Sequence, residues 1–334
     1  QAYEQARDAV KDFMNAKARE EIIFTSGTTS AVNLVAFCFG EAFVKEGDEV
    51  IVTEAEHHSN IVPWQMMCQR KGAVLKVLPV DDMGHLMVDK LDEIISDRTR
   101  IMAVTHISNV LGIINPVKEV IDICHSRNVP VFVDGAQGAV HCRVDVQELD
   151  CDFYAFSGHK LYAATGTGVL YGKKKWLEQM PPYMGGGEMV GTVKFSGTTY
   201  APLPMKYEAG TQNFASAATL RPAIEFINLL NDSELVKYND AVRDYLLDKL
   251  MSDERIVLYG VPRGTSEEKI PLFSFTVKGV HHEDLALILD KMGIAVRSGQ
   301  MCAEPLMDRY GVTGMLRVSL APYNTIEEAE YFIK

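Results

Sequence analysis

Cys151-Asp-Phe-Tyr-Ala-Phe-Ser-Gly-His-Lys160 runs from an apolar, aromatic stretch into a Ser-Gly-His turn and ends on a lysine. A short apolar run bounded by turn residues reads as a buried strand. Lys160 therefore stands just past a strand's carboxyl end, the place where open α/β sheets bind ligands. The other lysines read as solvated surface groups. Ala163-Ala-Thr-Gly-Thr-Gly168 follows Lys160 after two residues.

Working outward, short apolar runs alternate with amphipathic helical stretches from about residue 21, the pattern of βαβ units around a mostly parallel sheet. The expected strands are Glu21 to Phe24, Glu49 to Thr53, Val74 to Val80, Ile101 to Thr105, Val131 to Val133, Phe153 to Phe156 and Gly168 to Tyr171. Seven such strands predict a three-layer α/β/α domain. Polar, specific residues follow each run: Thr25-Ser-Gly-Thr-Thr29, Glu56-His-His58, His106-Ile-Ser-Asn109, Asp134-Gly-Ala-Gln137 and Ser157-Gly-His-Lys160. The Pro/Gly-rich passage Pro181 to Gln212 reads as active-site loop, because apolar positions continue through it. A helix from Leu220 to Leu230 leads to a second set: helices Leu235 to Met251 and Glu283 to Lys291, and strands Ile256 to Tyr259, Leu272 to Val277, Ile294 to Arg297 and Leu316 to Ser319. The division expected is a large domain over 1–228 and a smaller α+β C-terminal domain over 229–334.

With 334 residues and 47% hydrophobic content, the chain can bury a sizeable core. Its 33 basic and 45 acidic residues, a net charge of −12, argue against a nucleic-acid surface and against anchoring on anionic lipid. No apolar run approaches a membrane span, and no repeat or low-complexity tract interrupts the pattern. The six cysteines at 38, 68, 124, 142, 151 and 302 show neither a CxxC pair nor zinc-ligand spacing. No metal is expected, and five of the six read as buried fillers in a reducing cytosol. The chain opens inside a helical pattern (Ala6, Val10, Phe13, Met14) and stops inside another, so it reads as part of a longer protein.

A lysine in a desolvated pocket loses its proton more readily and can form a Schiff base with an aldehyde cofactor. Pyridoxal phosphate is that aldehyde, and it also needs an acid for its ring nitrogen, a phosphate cradle and a stacking partner. Asp134 can pair with a protonated pyridine nitrogen, or simply cap the next helix. Gln137 can reach the phenolic oxygen, or sit on a first-turn surface. Ser26-Gly-Thr28-Thr29 precedes a helix expected near Ala31, where a helix N-terminus favours phosphate; a plain turn with a Thr N-cap has the same letters. His57 can stack on a flat ring, or be a partly exposed turn histidine. Cys302, in a Gly-containing loop five residues after Arg297, reads as a mobile, exposed nucleophile or as an inert loop cysteine. Arg317 puts a charge inside an apolar strand and needs an anion, either a substrate carboxylate or a structural partner.

These residues, in this order, resemble the group II cysteine desulfurases of the SUF iron–sulfur assembly system, in the class V aminotransferase branch of fold type I pyridoxal-phosphate enzymes. The most specific matches are Glu56-His-His-Ser-Asn-Ile-Val-Pro-Trp64, Thr105-His-Ile-Ser-Asn-Val-Leu-Gly112, Val133-Asp-Gly-Ala-Gln137, Phe156-Ser-Gly-His-Lys160 and Gly293-Ile-Ala-Val-Arg-Ser-Gly299 with Cys302-Ala. The resemblance implies that Lys160 bonds pyridoxal 5'-phosphate and later carries protons, Asp134 pairs with the ring nitrogen, Gln137 with the phenolic oxygen, and His57 stacks on the ring. Thr28, Thr29, Ser157 and His159 would hold the phosphate, with Thr211 completing the cradle from the other subunit of a homodimer. Asn109 and Arg317 would bind the carboxylate of L-cysteine, Arg297 would line the site, and Cys302 would take the sulfur as a persulfide. A SufE- or SufU-like acceptor protein and a cytoplasmic setting are implied as well.

The chain departs from that pattern at Gln212, where proline is usual, at Gln300-Met301, where histidines are common before the cysteine, and at Ala163-Ala164, where Gly-Pro is usual. The family's N-terminal segment is also missing. The alternatives are a selenocysteine lyase or another class V aminotransferase or lyase on the same lysine, and a non-catalytic, cofactor-bound assembly scaffold. Dependence on Cys302 separates the first group, and turnover with cofactor bound separates the second.

Overall fold

A computed structural model describes residues 1–334. Its main sheet is built from β1 (Ile22–Thr25), β2 (Glu49–Thr53), β3 (Val74–Leu78), β4 (Thr99–Thr105), β5 (Val131–Asp134), β6 (Phe153–Ser157) and β7 (Gly168–Gly172). They lie in the order β1-β7-β6-β5-β4-β2-β3. Neighbours from β3 through β6 are parallel, while β7 runs antiparallel to both β6 and β1. Crossover length explains the difference. The parallel pairs are joined through helices such as Thr28–Phe43, Val62–Lys71 and Val117–Ser126, whereas only the turn bearing Lys160 separates β6 from β7.

The three layers follow from alternation within the strands. Ile101 and Ala103 of β4, Phe132 of β5, and Phe153 and Ala155 of β6 join one apolar cluster with the helix Thr28–Phe43. Met102 and Val104, Val131 and Val133, and Tyr154 and Phe156 join the cluster on the opposite face. Successive side chains of a strand point to opposite faces, so one short apolar run supplies two cores.

A second sheet contains β10 (Ile256–Tyr259), β11 (Leu272–Val277), β12 (Arg297–Gly299) and β13 (Met315–Ser319), all antiparallel, in the order β10-β11-β13-β12. It shares a core with the helices Ser233–Ser252, His282–Lys291 and Ile326–Ile333. The segment after β12 leaves this sheet: Met301, Ala303, Leu306 and Met307 pack into the larger cluster of the main sheet.

Four local expectations differ. The helix expected near Ala31 begins at Thr28. The third strand stops at Leu78 rather than Val80, because Pro79 has no N–H to offer a neighbour. Ile294 and Val296 pack on the small core without pairing, and β12 starts only at Arg297, opposite Arg317. Pro181 to Gln212 is not all loop: β8 (Val190–Lys194) and β9 (Gly197–Tyr200) form a hairpin. Its residues lie almost wholly in solvent, so no buried face imprints the period-two pattern that identifies a strand.

Candidate active site

The site grows from the carboxyl ends of five strands of the main sheet. Thr28 and Thr29 follow β1, His57 follows β2, Asn109 follows β4, Asp134 and Gln137 close β5, and Ser157, His159 and Lys160 close β6. All of them line one cavity of about 210 Å³. Lys160, His159 and Gln137 also line a wider cleft of about 530 Å³, which Arg317 enters from β13. Cys302 and Arg297 line neither cavity, but both lie close enough for their charges to act on Lys160. Thr211 is exposed, lines neither cavity and makes no side-chain hydrogen bond within the chain.

Burial pulls the Lys160 ammonium below its ordinary pKa; Arg317 and Arg297 push the same way and Asp134 opposes them. Asp134 is 3% exposed. Burial raises its pKa, against the Ala136 N–H at 2.9 Å and the Lys160 charge. A buried carboxylate held by one N–H and in no ion pair is costly, and a protonated heteroaromatic nitrogen would be a fitting partner for it. The capping alternative for Asp134 is met only in part: it accepts from Ala136, and Gln137 is the residue that precedes the next helix, Gly138–His141.

The anion cradle is built differently from a Thr cap. Gly27 caps the helix Thr28–Phe43 with no side-chain bond. The Ser157 hydroxyl accepts from the Thr28 N–H at 2.8 Å and pairs with the Thr28 hydroxyl at 2.8 Å. Thr29 and Ser30 find no acceptor for their amides within the chain, so the positive end of a 16-residue helix remains open to a phosphate. Gly27 has φ +150, and a Cβ at Gly168 would lie 2.5 Å from its Cα. Two glycines let this turn press against β7.

His57 Nδ1 accepts from the Ser59 N–H at 3.1 Å. Burial, then the charges of Lys160, His58 and Arg297, lower its pKa to about 4, so its imidazole is neutral near pH 7. A neutral ring suits stacking on a cationic heterocycle. His58 takes another part: its N–H donates to Cys302 O at 2.8 Å and its Nε2 accepts from the Glu304 N–H at 3.1 Å.

Those bonds revise the picture of Cys302 as a residue on a loose loop. Its thiol is exposed, with Arg297 Nη2 at 4.0 Å from Sγ. On either side, Met301 and Ala303 are 2% and 0% exposed, and Asn109 Nδ2 donates to Met301 O at 2.8 Å. Met301 and Cys302 both have φ +56, a left-handed pair that persists because neighbours fix it. Of the other five cysteines, four are buried and Cys142 is partly so; burial drives Cys38 and Cys124 up to about 12 and Cys68 and Cys142 to about 11.

Arg317 donates Nη1 to Asn109 O at 2.9 Å, while its buried Nε has no partner. It stands directly opposite Arg297 in the β12–β13 ladder. Like charges opposite each other destabilise a strand pair. No carboxylate of the chain forms an ion pair with either guanidinium, so the structural salt bridge considered for Arg317 is not formed. A bound carboxylate would satisfy both.

The sequence reading missed the support beneath these groups. Glu56 is fully buried, accepting from Thr53 Oγ1 at 2.6 Å, Thr105 N–H at 2.8 Å and Asn60 Nδ2 at 2.6 Å. Three donors hold it where burial and Asp134 push its pKa up to about 8. It joins the ends of β2 and β4 behind His57. A carboxylate three residues past an apolar strand, at the head of Glu56-His-His58, was the available signal. No group of three or more His, Cys, Asp or Glu could hold a metal, and no helix is long and apolar enough to cross a membrane.

This fold and this set of strand-end residues define a class. The aminotransferase class-V family profile matches residues 1–332, and the chain belongs to that family. It is 45% identical over 334 residues to a cysteine desulfurase of Cronobacter sakazakii, covering 100% of this chain and 81% of the relative. It is also 45% identical over 332 residues to a probable cysteine desulfurase of Halalkalibacterium halodurans, covering 99% and 80%. Among solved structures, the S-sulfonic acid form of the cysteine desulfurase CsdA from Escherichia coli aligns with TM-score 0.94 at 42% identity, over 99% of this chain and 82% of that one. The apo cysteine desulfurase of Thermococcus onnurineus aligns at 0.93 and 36%, again over 99% and 82%.

Proposed function

We propose that this chain is a pyridoxal-phosphate-dependent cysteine desulfurase that converts L-cysteine to L-alanine and takes the sulfur onto Cys302. The observation that carries the reading is Arg317, its buried Nε unpartnered, set in the same cleft as Lys160 and directly across the β12–β13 ladder from Arg297, whose Nη2 lies 4.0 Å from the exposed thiol of Cys302. A carboxylate site next to both an amine and a nucleophilic sulfur is what an α-amino thiol requires. The 45% identity to cysteine desulfurases across the whole chain supports the same reaction.

When bound, pyridoxal phosphate supplies an electrophilic aldehyde and an electron-accepting ring. Asp134 would pair with its ring nitrogen, Gln137 with its phenolic oxygen, and His57 would lie on its face. Thr28, Thr29, Ser157 and His159 would hold its phosphate. Arg317 and Asn109 bind and orient the carboxylate of L-cysteine. Lys160, kept less basic by burial, removes the α-proton and returns one later. The Cys302 thiolate attacks the substrate sulfur: an S–S bond forms, the substrate's C–S bond breaks, and the electron pair left on carbon is taken up with a proton. L-cysteine plus the Cys302 thiol thus gives L-alanine plus a Cys302 persulfide, with Arg297 beside the sulfur.

Residues 1–228 are assigned to a large cofactor domain and 229–334 to a small domain. The protein is assigned to the group II, SUF-type desulfurases, acting in the cytoplasm as a homodimer in which Thr211 completes the neighbouring phosphate cradle. A SufE- or SufU-like protein would carry the persulfide sulfur on toward iron–sulfur clusters. The exposed thiol on a short segment between buried residues supports delivery to a docking protein rather than a long reach.

The test is stoichiometric. Cofactor-loaded protein is incubated with L-cysteine and reductant, and alanine and sulfide are quantified beside a Cys302→Ala variant. Equal alanine and sulfide, lost in the variant, is the expected result. Product indifferent to Cys302, or turnover confined to selenocysteine or amino-group transfer, would overturn it.

A further inference from the structure

Thr211 makes no side-chain hydrogen bond within its own chain, yet the loop that carries it is anchored by buried groups. Glu208, three residues before it, is fully buried and forms a two-pronged ion pair with the fully buried Arg7, Nη1–Oε1 2.7 Å and Nη2–Oε2 2.9 Å. Tyr3 donates its hydroxyl to Glu208 Oε2 at 2.7 Å, and the Arg7 guanidinium lies 4.5 Å above the Phe24 ring. Gln212, one residue after Thr211, donates Nε2 to Gly210 O at 2.9 Å and Ala209 O at 3.4 Å. Gly210, at φ +76, donates its N–H to Gly187 O. The turn is thus gripped on both sides of Thr211 while Thr211 itself projects into solvent. A fully buried ion pair is retained at a desolvation cost, and removing one partner leaves an uncompensated charge. A loop that only connected two helices would not need one.

We infer that Arg7, Glu208, Tyr3 and Gln212 form a brace whose function lies in the second subunit: they fix the Thr211 turn so that it completes the phosphate cradle of the neighbouring copy. These are positioning residues. The inference rests on the dimer reading given under Proposed function, and it adds the residues that set the trans-acting turn. A competing route runs within the chain, since Glu208 Oε1 also accepts from the Phe24 N–H at 2.8 Å, on the strand that leads into Thr28. The two routes predict opposite subunits for the defect.

Hybrid dimers separate them, read by cofactor affinity rather than turnover. Lys160→Ala removes the covalent link from one subunit, so the absorption of lysine-bound cofactor reports only the other subunit's site. In one hybrid, Gln212→Ala is placed on the chain that keeps Lys160; in the reciprocal hybrid it is placed on the Lys160→Ala chain. The brace acting in trans predicts near-normal pyridoxal phosphate affinity in the first. In the second it predicts a loss of about five- to tenfold, the size expected for one or two hydrogen bonds. Tyr3→Phe should follow the same pattern, which keeps the test open if Glu208→Gln does not fold. The reverse pattern, or unchanged affinity in both hybrids while Thr211→Ala acts in trans, overturns the brace alone. A monomeric protein, or Thr211→Ala without effect in either hybrid, overturns the dimer reading beneath it.

Discussion

The floor and the wall of the site are made in different ways. The floor, Thr28, Asp134, Ser157 and Lys160, hangs on the ends of β1, β5 and β6 of one sheet packed on both faces. The wall, Arg297, Cys302 and Arg317, comes from β12, β13 and the segment between them, and it reaches the main core only through Met301, Ala303 and their neighbours. Asn109 bridges the two, giving its side-chain N–H to Met301 O and its carbonyl to Arg317. The difference teaches a division of labour. On the proposed reading, the groups that would hold the cofactor sit on strand ends packed from both faces, and the groups that would handle the substrate's sulfur sit on a segment with an exposed thiol.

The comparison is broken most forcefully from the floor. Lys160→Ala should lower turnover by about four to six orders of magnitude, the scale for removing a group that both bonds the cofactor and carries protons. Loss of covalent cofactor on gel filtration would accompany it, and retained turnover would show that another residue serves. On the wall, Cys302→Ala should cut sulfide release by about two to four orders of magnitude with cofactor affinity unchanged. A joint loss of both would mean that wall and floor are not separable. A smaller effect is expected from Arg317→Ala, which should raise the KM for L-cysteine about a hundredfold, as for a lost charge-assisted pair, and leave cofactor binding intact.

The smallest effect concerns stability. His57, His106 and His141 are each lowered by burial from 6.5 to about 4. Between those values the unfolded chain binds more protons than the folded one, so stability falls as pH drops through this window and is fully present above it. The melting temperature should therefore decline from pH 6.5 toward 4. His106→Gln should make that slope shallower than in the parent, and parallel slopes would remove His106 from the account.

Much of the floor was legible because its signals are local. The apolar run ending at Ser157 and the polar residues after β1, β2, β4 and β5 announce strand ends within a few positions, and the site residues follow directly. Arg317 was legible as an anomaly, a charge in an apolar strand, but its pairing opposite Arg297 across the ladder was not. The hairpin β8–β9 escaped because it buries no face. Cys302 was read as exposed, which holds, but its anchoring depends on His58 and Asn109, more than 190 positions earlier.

What the chain's order of residues determined by itself is the alternation that builds two cores from one sheet and the strand-end lysine with its turn, since these depend on neighbours only a few bonds away. Tertiary structure alone decided which buried charges are satisfied. Glu56 gains three donors, Arg7 meets Glu208 across 201 positions, and Arg317 keeps an unpartnered Nε. The cost of a buried charge is set by every group around it, and those groups come together only when the chain has folded.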